Sequence, residues 1–194
     1  MIDSIIFDLD GTLWDTTEEL LKCWKSEVPT ITKTELMSCM GLTPEGIADK
    51  LNIPIETVVA VQKKEIPWLA EHRVSPYIGV TLMLQYFYDK YPMFIVSNCQ
   101  DGYIESFLQT NHLIEFFTDW RHSDGLSKAE NVLNLILTYK IHPILVGDTE
   151  GDQMAALVND IPFVWAKYGF GNLDIMDINR NIIYKPMDLT LLTF

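Results

Sequence analysis

Ile2-Asp3-Ser4-Ile5-Ile6-Phe7-Asp8-Leu9-Asp10-Gly11-Thr12-Leu13-Trp14-Asp15 decides the fold. Ile2 to Leu9 is apolar almost throughout and alternates little, which is how a strand buried on both faces of a parallel sheet reads. Similar short runs recur at Met93-Phe94-Ile95-Val96, Pro143-Ile144-Leu145-Val146 and Ile161-Pro162-Phe163-Val164-Trp165-Ala166. Helical patterns lie between them, over Gly79 to Tyr91, Asp101 to Thr110, Lys128 to Tyr139 and Glu150 to Val158. In the third, Val132, Leu133, Ile136 and Leu137 share one face. Strand alternating with helix predicts an α/β fold with a doubly wound, Rossmann-like parallel sheet.

Residues 16 to 74 break the rhythm, with several helical segments and no convincing strand. Thr16-x-x-Glu19 has the spacing of a capping box. Pro29, the Gly41-to-Pro44 turn and Pro54 separate the later segments. An all-helical insertion is therefore expected between the first strand and the rest of the sheet. The expected division is a core of residues 1–15 and 75–194 and a small helical domain of residues 16–74. Towards the end, Asn172 to Arg180 reads as a helix, Asn181 to Tyr184 as a short strand and Met187 to Leu192 as a helical turn.

Composition narrows the function. The chain has 194 residues, 48 % of them hydrophobic, so it can bury a core. Lys plus Arg is 14 against 27 Asp plus Glu, a net charge of −13. Such a chain is poorly suited to a nucleic-acid backbone or an anionic membrane surface. Cys23, Cys39 and Cys99 form no CxxC pair and no zinc-ligand spacing. Reduced thiols and the absence of a signal-like start suggest a cytoplasmic protein.

Four segments past strand ends carry candidate chemistry, at the edge where open α/β sheets bind ligands. Asp8 and Asp10, two apart on extended backbone, point the same way. Two buried anions need a cation or a shifted pKa, and Mg²⁺ with its preference for oxygen ligands fits. Ser97-Asn98 supplies a hydroxyl, an amide and backbone N–H groups suited to a phosphate. Ser127-Lys128 opens a helix with a Ser127-x-x-Glu130 capping box, yet Lys128 opposes the macrodipole, which hints at a task for its charge. Gly147-Asp148-Thr149-Glu150-Gly151-Asp152 again ends a strand in acids.

In this order, DxDGT, SN, a helix-opening Lys and GDxxxD, the chain resembles the haloacid dehalogenase-like hydrolase superfamily. Within it, the chain looks like the phosphoglycolate phosphatase-type branch, whose helical cap follows the first motif. The resemblance implies an Mg²⁺-dependent phosphatase of a small phosphorylated metabolite. Asp8 would be the nucleophile and Asp10 the general acid and base. Gly11, Thr12, Ser97, Asn98 and Lys128 would serve the phosphate: Gly11 lets the backbone turn beneath it and Thr12 holds that loop. Mg²⁺ would be held by Asp8, the Asp10 main-chain carbonyl and Asp148, with Asp152 behind them orienting Lys128 or a metal-bound water. No nucleic-acid or membrane partner is implied, and the expected state is a monomer or homodimer.

A sugar-phosphate mutase is the alternative, but relatives of that kind carry a cap Arg shortly after a Gly. Met40-Gly41-Leu42-Thr43-Pro44-Glu45-Gly46 has none, and Arg73 is the only Arg in the insertion. A metal-free dehalogenase would lack Asp10. A non-catalytic binding protein would have lost one of the site groups. Where family members often have Pro after the Lys, this chain has Ala129. Trp14, Met37, Met40, Trp68 and His72 read as core of the insertion before they read as its inner lining. His112, His122 and His142 receive no role, and Asp15 reads as a helix cap or hinge residue. The shortness of the insertion suggests an open site of broad specificity.

Overall fold

The computed structural model describes residues 1–171, 173 and 181–193. Strand β1 (Ser4–Phe7) leads into four helices, α1 (Thr17–Lys25), α2 (Lys33–Cys39), α3 (Pro44–Leu51) and α4 (Ile55–Glu71). The chain then runs through α5 (Val80–Phe87), β2 (Met93–Val96), α6 (Tyr103–Thr110), β3 (Asp119–Arg121), α7 (Lys128–Tyr139), β4 (Pro143–Gly147), α8 (Glu150–Val158), β5 (Phe163–Ala166) and β6 (Asn181–Ile183). A 3₁₀ turn at Pro186–Leu191 closes it.

The six strands lie in the order β3-β2-β1-β4-β5-β6, all parallel. This is the doubly wound arrangement expected from the alternation of apolar runs and helices. Alternate residues of each strand go to opposite faces. Ile5, Phe7, Ile95 and Val146 join the larger core with α5, α6 and the insertion. Ile6, Phe94, Val96 and Leu145 pack with Val132, Leu135, Ala155 and Ala156 of α7 and α8. The winding reverses between β1 and β4, where Phe7 pairs with Val146. That reversal opens a crevice at the carboxyl ends of these two strands.

One strand was not expected from the sequence, and one local expectation needs amendment. Strand β3 has no apolar run: Asp119-Trp120-Arg121 is an edge strand whose residues are only half-buried. The Thr16-x-x-Glu19 pattern marks the start of α1 but makes no capping box. Thr16 is helical in its own dihedrals and its side chain caps nothing. The Ser127–Glu130 box does form, with reciprocal side-chain and backbone bonds. The helix expected over Asn172 to Arg180 lies outside the described residues, except Leu173, which packs against Trp165.

The two-faced packing predicts a contrast between two aliphatic truncations. Ile6→Ala, at a fully buried position, should cost about 2–5 kcal/mol in denaturant unfolding. Leu137→Ala, on the exposed side of α7, should change stability by no more than about 0.5 kcal/mol.

Candidate active site

After β1 the backbone curls in one tight turn. The Leu9 carbonyl accepts from the N–H groups of Thr12, Leu13 and Trp14 at 3.2, 2.8 and 3.0 Å. Gly11 takes φ +82°, and a Cβ there would stand 2.3 Å from Asp148 Oδ2. Glycine is therefore required both by dihedral and by space. The turn sets Asp8 and Asp10 beside Asp148, which extends from the end of β4.

Lys128 links the pieces. Its Nζ donates to Asp8 Oδ1 at 2.7 Å and to Asp152 Oδ1 at 2.6 Å, all three side chains being buried. Asp152 Oδ2 accepts from the Thr149 N–H at 2.9 Å and from its hydroxyl at 2.7 Å. The Asp152 carboxylate is thus engaged at both oxygens by this chain's own donors. Asp148 is wrapped by the loop after β5. Its Oδ2 accepts from the N–H groups of Phe170 at 2.6 Å and Gly171 at 3.2 Å. Trp165 Nε1 donates to its carbonyl at 3.2 Å. A Cβ on Gly171 would meet that carbonyl oxygen at 2.0 Å, so the loop can come this close only as glycine.

Charge is unbalanced here. Asp8, Asp148 and Asp152 each bring a carboxylate oxygen within 4.8 Å of the others, against the single ammonium of Lys128. Burial, reinforced by the Asp152 charge and opposed by Lys128, pushes the Asp8 carboxyl up to about 7. Burial and the neighbouring Asp8 and Asp152 charges push Asp148 up to about 8. Burial alone would lower the Lys128 pKa, but the Asp152 and Asp8 charges outweigh it and hold the ammonium above its ordinary range. Asp8 and Asp148, hard oxygen donors in a site with excess negative charge, can hold a divalent metal ion.

Asp10 differs. Its Oδ1 accepts from the Thr16 hydroxyl at 2.7 Å and from the Tyr103 hydroxyl at 3.0 Å. Desolvation pushes its carboxyl up to about 7, although these two bonds favour the charged form. With both donors on one oxygen, the other is left to carry a proton. The Thr16 hydroxyl that the capping-box pattern assigned to a helix end is spent here instead.

A family model described as haloacid dehalogenase-like hydrolase matches residues 5–166. The chain belongs to this family. A haloacid dehalogenase-like family hydrolase from Streptococcus pneumoniae has the same fold, with a TM-score of 0.84 at 20% identity, covering 98% of this chain and 97% of that one. A protein from Haemophilus somnus named as a predicted phosphoglycolate phosphatase superposes at 0.83 and 16% identity, over 98% and 97% of the two chains. CbbY from Rhodobacter sphaeroides, in complex with phosphate, superposes at 0.81 and 13% identity, over 97% and 96%. A comparison with curated protein sequences returns no match.

In this haloacid dehalogenase-like hydrolase, Asp8, Asp10, Ser97, Asn98 and Lys128 all line one cavity of about 80 Å³. Gly11 and Thr12 lie against Asp148 rather than on the cavity wall; Thr12 Oγ1 donates to Asp148 Oδ1 at a long 3.4 Å. Asn98 Nδ2 donates across to the Gly41 carbonyl in the insertion at 3.0 Å. Gln100 Nε2 likewise donates to the Gln62 carbonyl at 2.8 Å and to Glu65 Oε2 at 3.0 Å. These bonds seat the insertion over the cavity. Trp14 and Trp68 both pack: Trp14 lies against Tyr103 and Phe107 of α6 with tilted rings, outside the insertion, and Trp68 stacks on His72 within it. Met40 is on the cavity wall.

Sequence reading missed Tyr103, Glu65, Gln100 and the Gly169-Phe170-Gly171 loop. The two glycines after an apolar strand were the one available signal for the loop. Nothing local marks the other three, which reach the site only through tertiary packing. Among the described residues, no helix is long and apolar enough to cross a membrane.

The sign of the pH effect on stability follows from the raised carboxyls. A carboxyl that titrates near 7 or 8 when folded and near 4 when unfolded holds more protons in the folded state between those values. Stability therefore falls as pH rises from about 4 to about 8. Metal-free protein should lose at least roughly 5 °C in Tm between pH 5 and pH 8. Mg²⁺ should raise Tm more at pH 8 than at pH 5, as read by differential scanning calorimetry.

Proposed function

We propose that the protein is an Mg²⁺-dependent phosphatase that hydrolyses a small phosphomonoester through an aspartyl-phosphate on Asp8. The observation that carries this is the pairing of two differently prepared carboxylates in one cavity. Asp8 is bonded to a buried lysine beside Asp148, whereas Asp10 is bonded by two neutral hydroxyls on one oxygen, with the other free for a proton. That is the division of labour a nucleophile and a general acid require.

Asp8 attacks phosphorus, and the bond from phosphorus to the alcohol oxygen breaks. Asp10 gives its proton to that departing oxygen. It then takes a proton from the water that attacks the acyl phosphate, which returns Asp8 as a carboxylate. Lys128, the Ser97 hydroxyl and backbone N–H groups at Asn98 hold the phosphoryl oxygens and offset the charge that grows on them. Gly11 and Thr12 serve the phosphate indirectly, by shaping the turn that presents Asp8 and Asp10.

The donor set suits Mg²⁺, with Asp8, the Asp10 carbonyl and Asp148 as its ligands. When bound, the ion supplies positive charge that screens the Asp8 carboxylate from the incoming phosphate. Asp152, saturated by Lys128 and Thr149, acts as a positioning residue that aims the lysine. Residues 16–74 act as a cap over a core of residues 1–15 and 75–194, excluding water and admitting the substrate. A cytoplasmic setting agrees with the buried free thiols of Cys23, Cys39 and Cys99. The mutase alternative is disfavoured because Lys128, already paired with two aspartates, is the one cation on the cavity wall among the described residues.

Phosphate release from a panel of phosphorylated metabolites tests the reading. Turnover should require Mg²⁺ and fall by at least about 1,000-fold in Asp8→Asn. Metal-independent turnover, or turnover retained in that variant, would refute it.

The pH profile tests Asp10 separately. The Tyr103 hydroxyl bonds the ionised form and so lowers the Asp10 pKa. Tyr103→Phe should raise that pKa and move the basic limb of kcat/KM for an alkyl phosphate to higher pH. An unmoved limb would remove Asp10 from the role of acid.

A further inference from the structure

The far wall of the cavity carries a carboxylate that the chemistry at phosphorus does not use. Glu65 projects from α4 and is only 7 % exposed. Its Oε1 accepts from Trp24 Nε1 at 2.8 Å and its Oε2 from Gln100 Nε2 at 3.0 Å. It lines the same cavity as Asp8 and Asp10, and its charge is close enough to contribute to raising the Asp10 carboxyl.

Both fixed partners are N–H donors, and each takes one oxygen. That is the pattern of an acceptor held in place, with lone pairs still available. The rest of the wall around it is apolar or neutral: Leu20, Trp24, Leu36, Ile47, Gln62 and Tyr103. Among the described residues, Lys128 is the only lysine or arginine on the wall, and Asp8 and Asp152 already hold it. A leaving group that carried its own carboxylate or a second phosphate would be buried beside Glu65 with no cation to meet it. Like charges in a desolvated site are strongly disfavoured. A hydroxyl or an ammonium would instead add a second donor to a Glu65 oxygen that Trp24 or Gln100 already bonds.

Resting on the phosphatase reading, we infer that Glu65 selects the leaving group. The substrate is the phosphate ester of a small alcohol that bears a hydroxyl or ammonium donor and no further negative charge. Phosphoglycolate and sugar bisphosphates fall outside the class.

Three two-carbon esters differ only in the group that would face Glu65: 2-hydroxyethyl phosphate, phosphoethanolamine and phosphoglycolate. With the full chain and Mg²⁺, at least one of the first two should exceed phosphoglycolate in kcat/KM by about 100-fold. The better of the two tells a neutral polyol from an amino alcohol. Glu65→Gln keeps the shape and removes the charge, so it should shrink that ratio by about tenfold or more, chiefly through KM. Equal rates for all three esters, or a preference for phosphoglycolate, would overturn the inference while leaving the phosphatase intact. The wild-type ranking decides this even if the Glu65 variant folds poorly. If neither the three esters nor acetyl phosphate is hydrolysed, the phosphatase reading itself fails, and the inference with it.

Discussion

Three buried aspartates and one lysine gather at the carboxyl edge of the sheet, and most of the site is an answer to that imbalance. Lys128 bonds Asp8 and Asp152 together. Removing one partner from such a buried network typically costs several kcal/mol, because a charge is left alone. The surrounding backbone bends to support the cluster. Gly11 and Gly171 approach Asp148 at distances no side chain allows. The N–H groups of Phe170 and Gly171 aim at its carboxylate. Burial, reinforced by the neighbouring negative charge, raises the Asp8 and Asp148 carboxyls, and that charge suits the site to a cation.

Topology explains why these groups meet. Asp8 follows β1 and Asp148 follows β4, which are adjacent although α1 to α7 and two strands separate them in sequence. The crevice formed where the winding reverses is open on its outer side, and the insertion after β1 fills it. Asn98 and Gln100 hold the two parts together with bonds to Gly41, Gln62 and Glu65. On the proposed reading, the chemistry belongs to the sheet edge and the choice of substrate to the helices above it.

Much of this was legible in the chain itself. The apolar runs predicted β1, β2, β4 and β5, because strands buried on both faces leave no room for alternation. The spaced acids, Ser97-Asn98 and Lys128 were readable because each sits directly past a strand or opens a helix. Strand β3 was not, since an edge strand with Asp119 and Arg121 has no apolar signature. Thr16 misled because a hydroxyl near a helix start can serve either the helix or a distant acid, and the sequence does not show the acid coming close. Tyr103, Glu65 and Gln100 act across 93, 41 and 35 positions of chain through Asp10, Trp24 and Glu65 respectively. No local pattern records such contacts.

Central to the account is the claim that Asp8 itself takes the phosphoryl group. Acid quench during turnover, followed by borohydride reduction, converts an aspartyl-phosphate to homoserine, which peptide mass spectrometry locates. Homoserine at position 8, absent without substrate, is the predicted result. Homoserine at any other acidic residue, in a protein that is turning over, would contradict it.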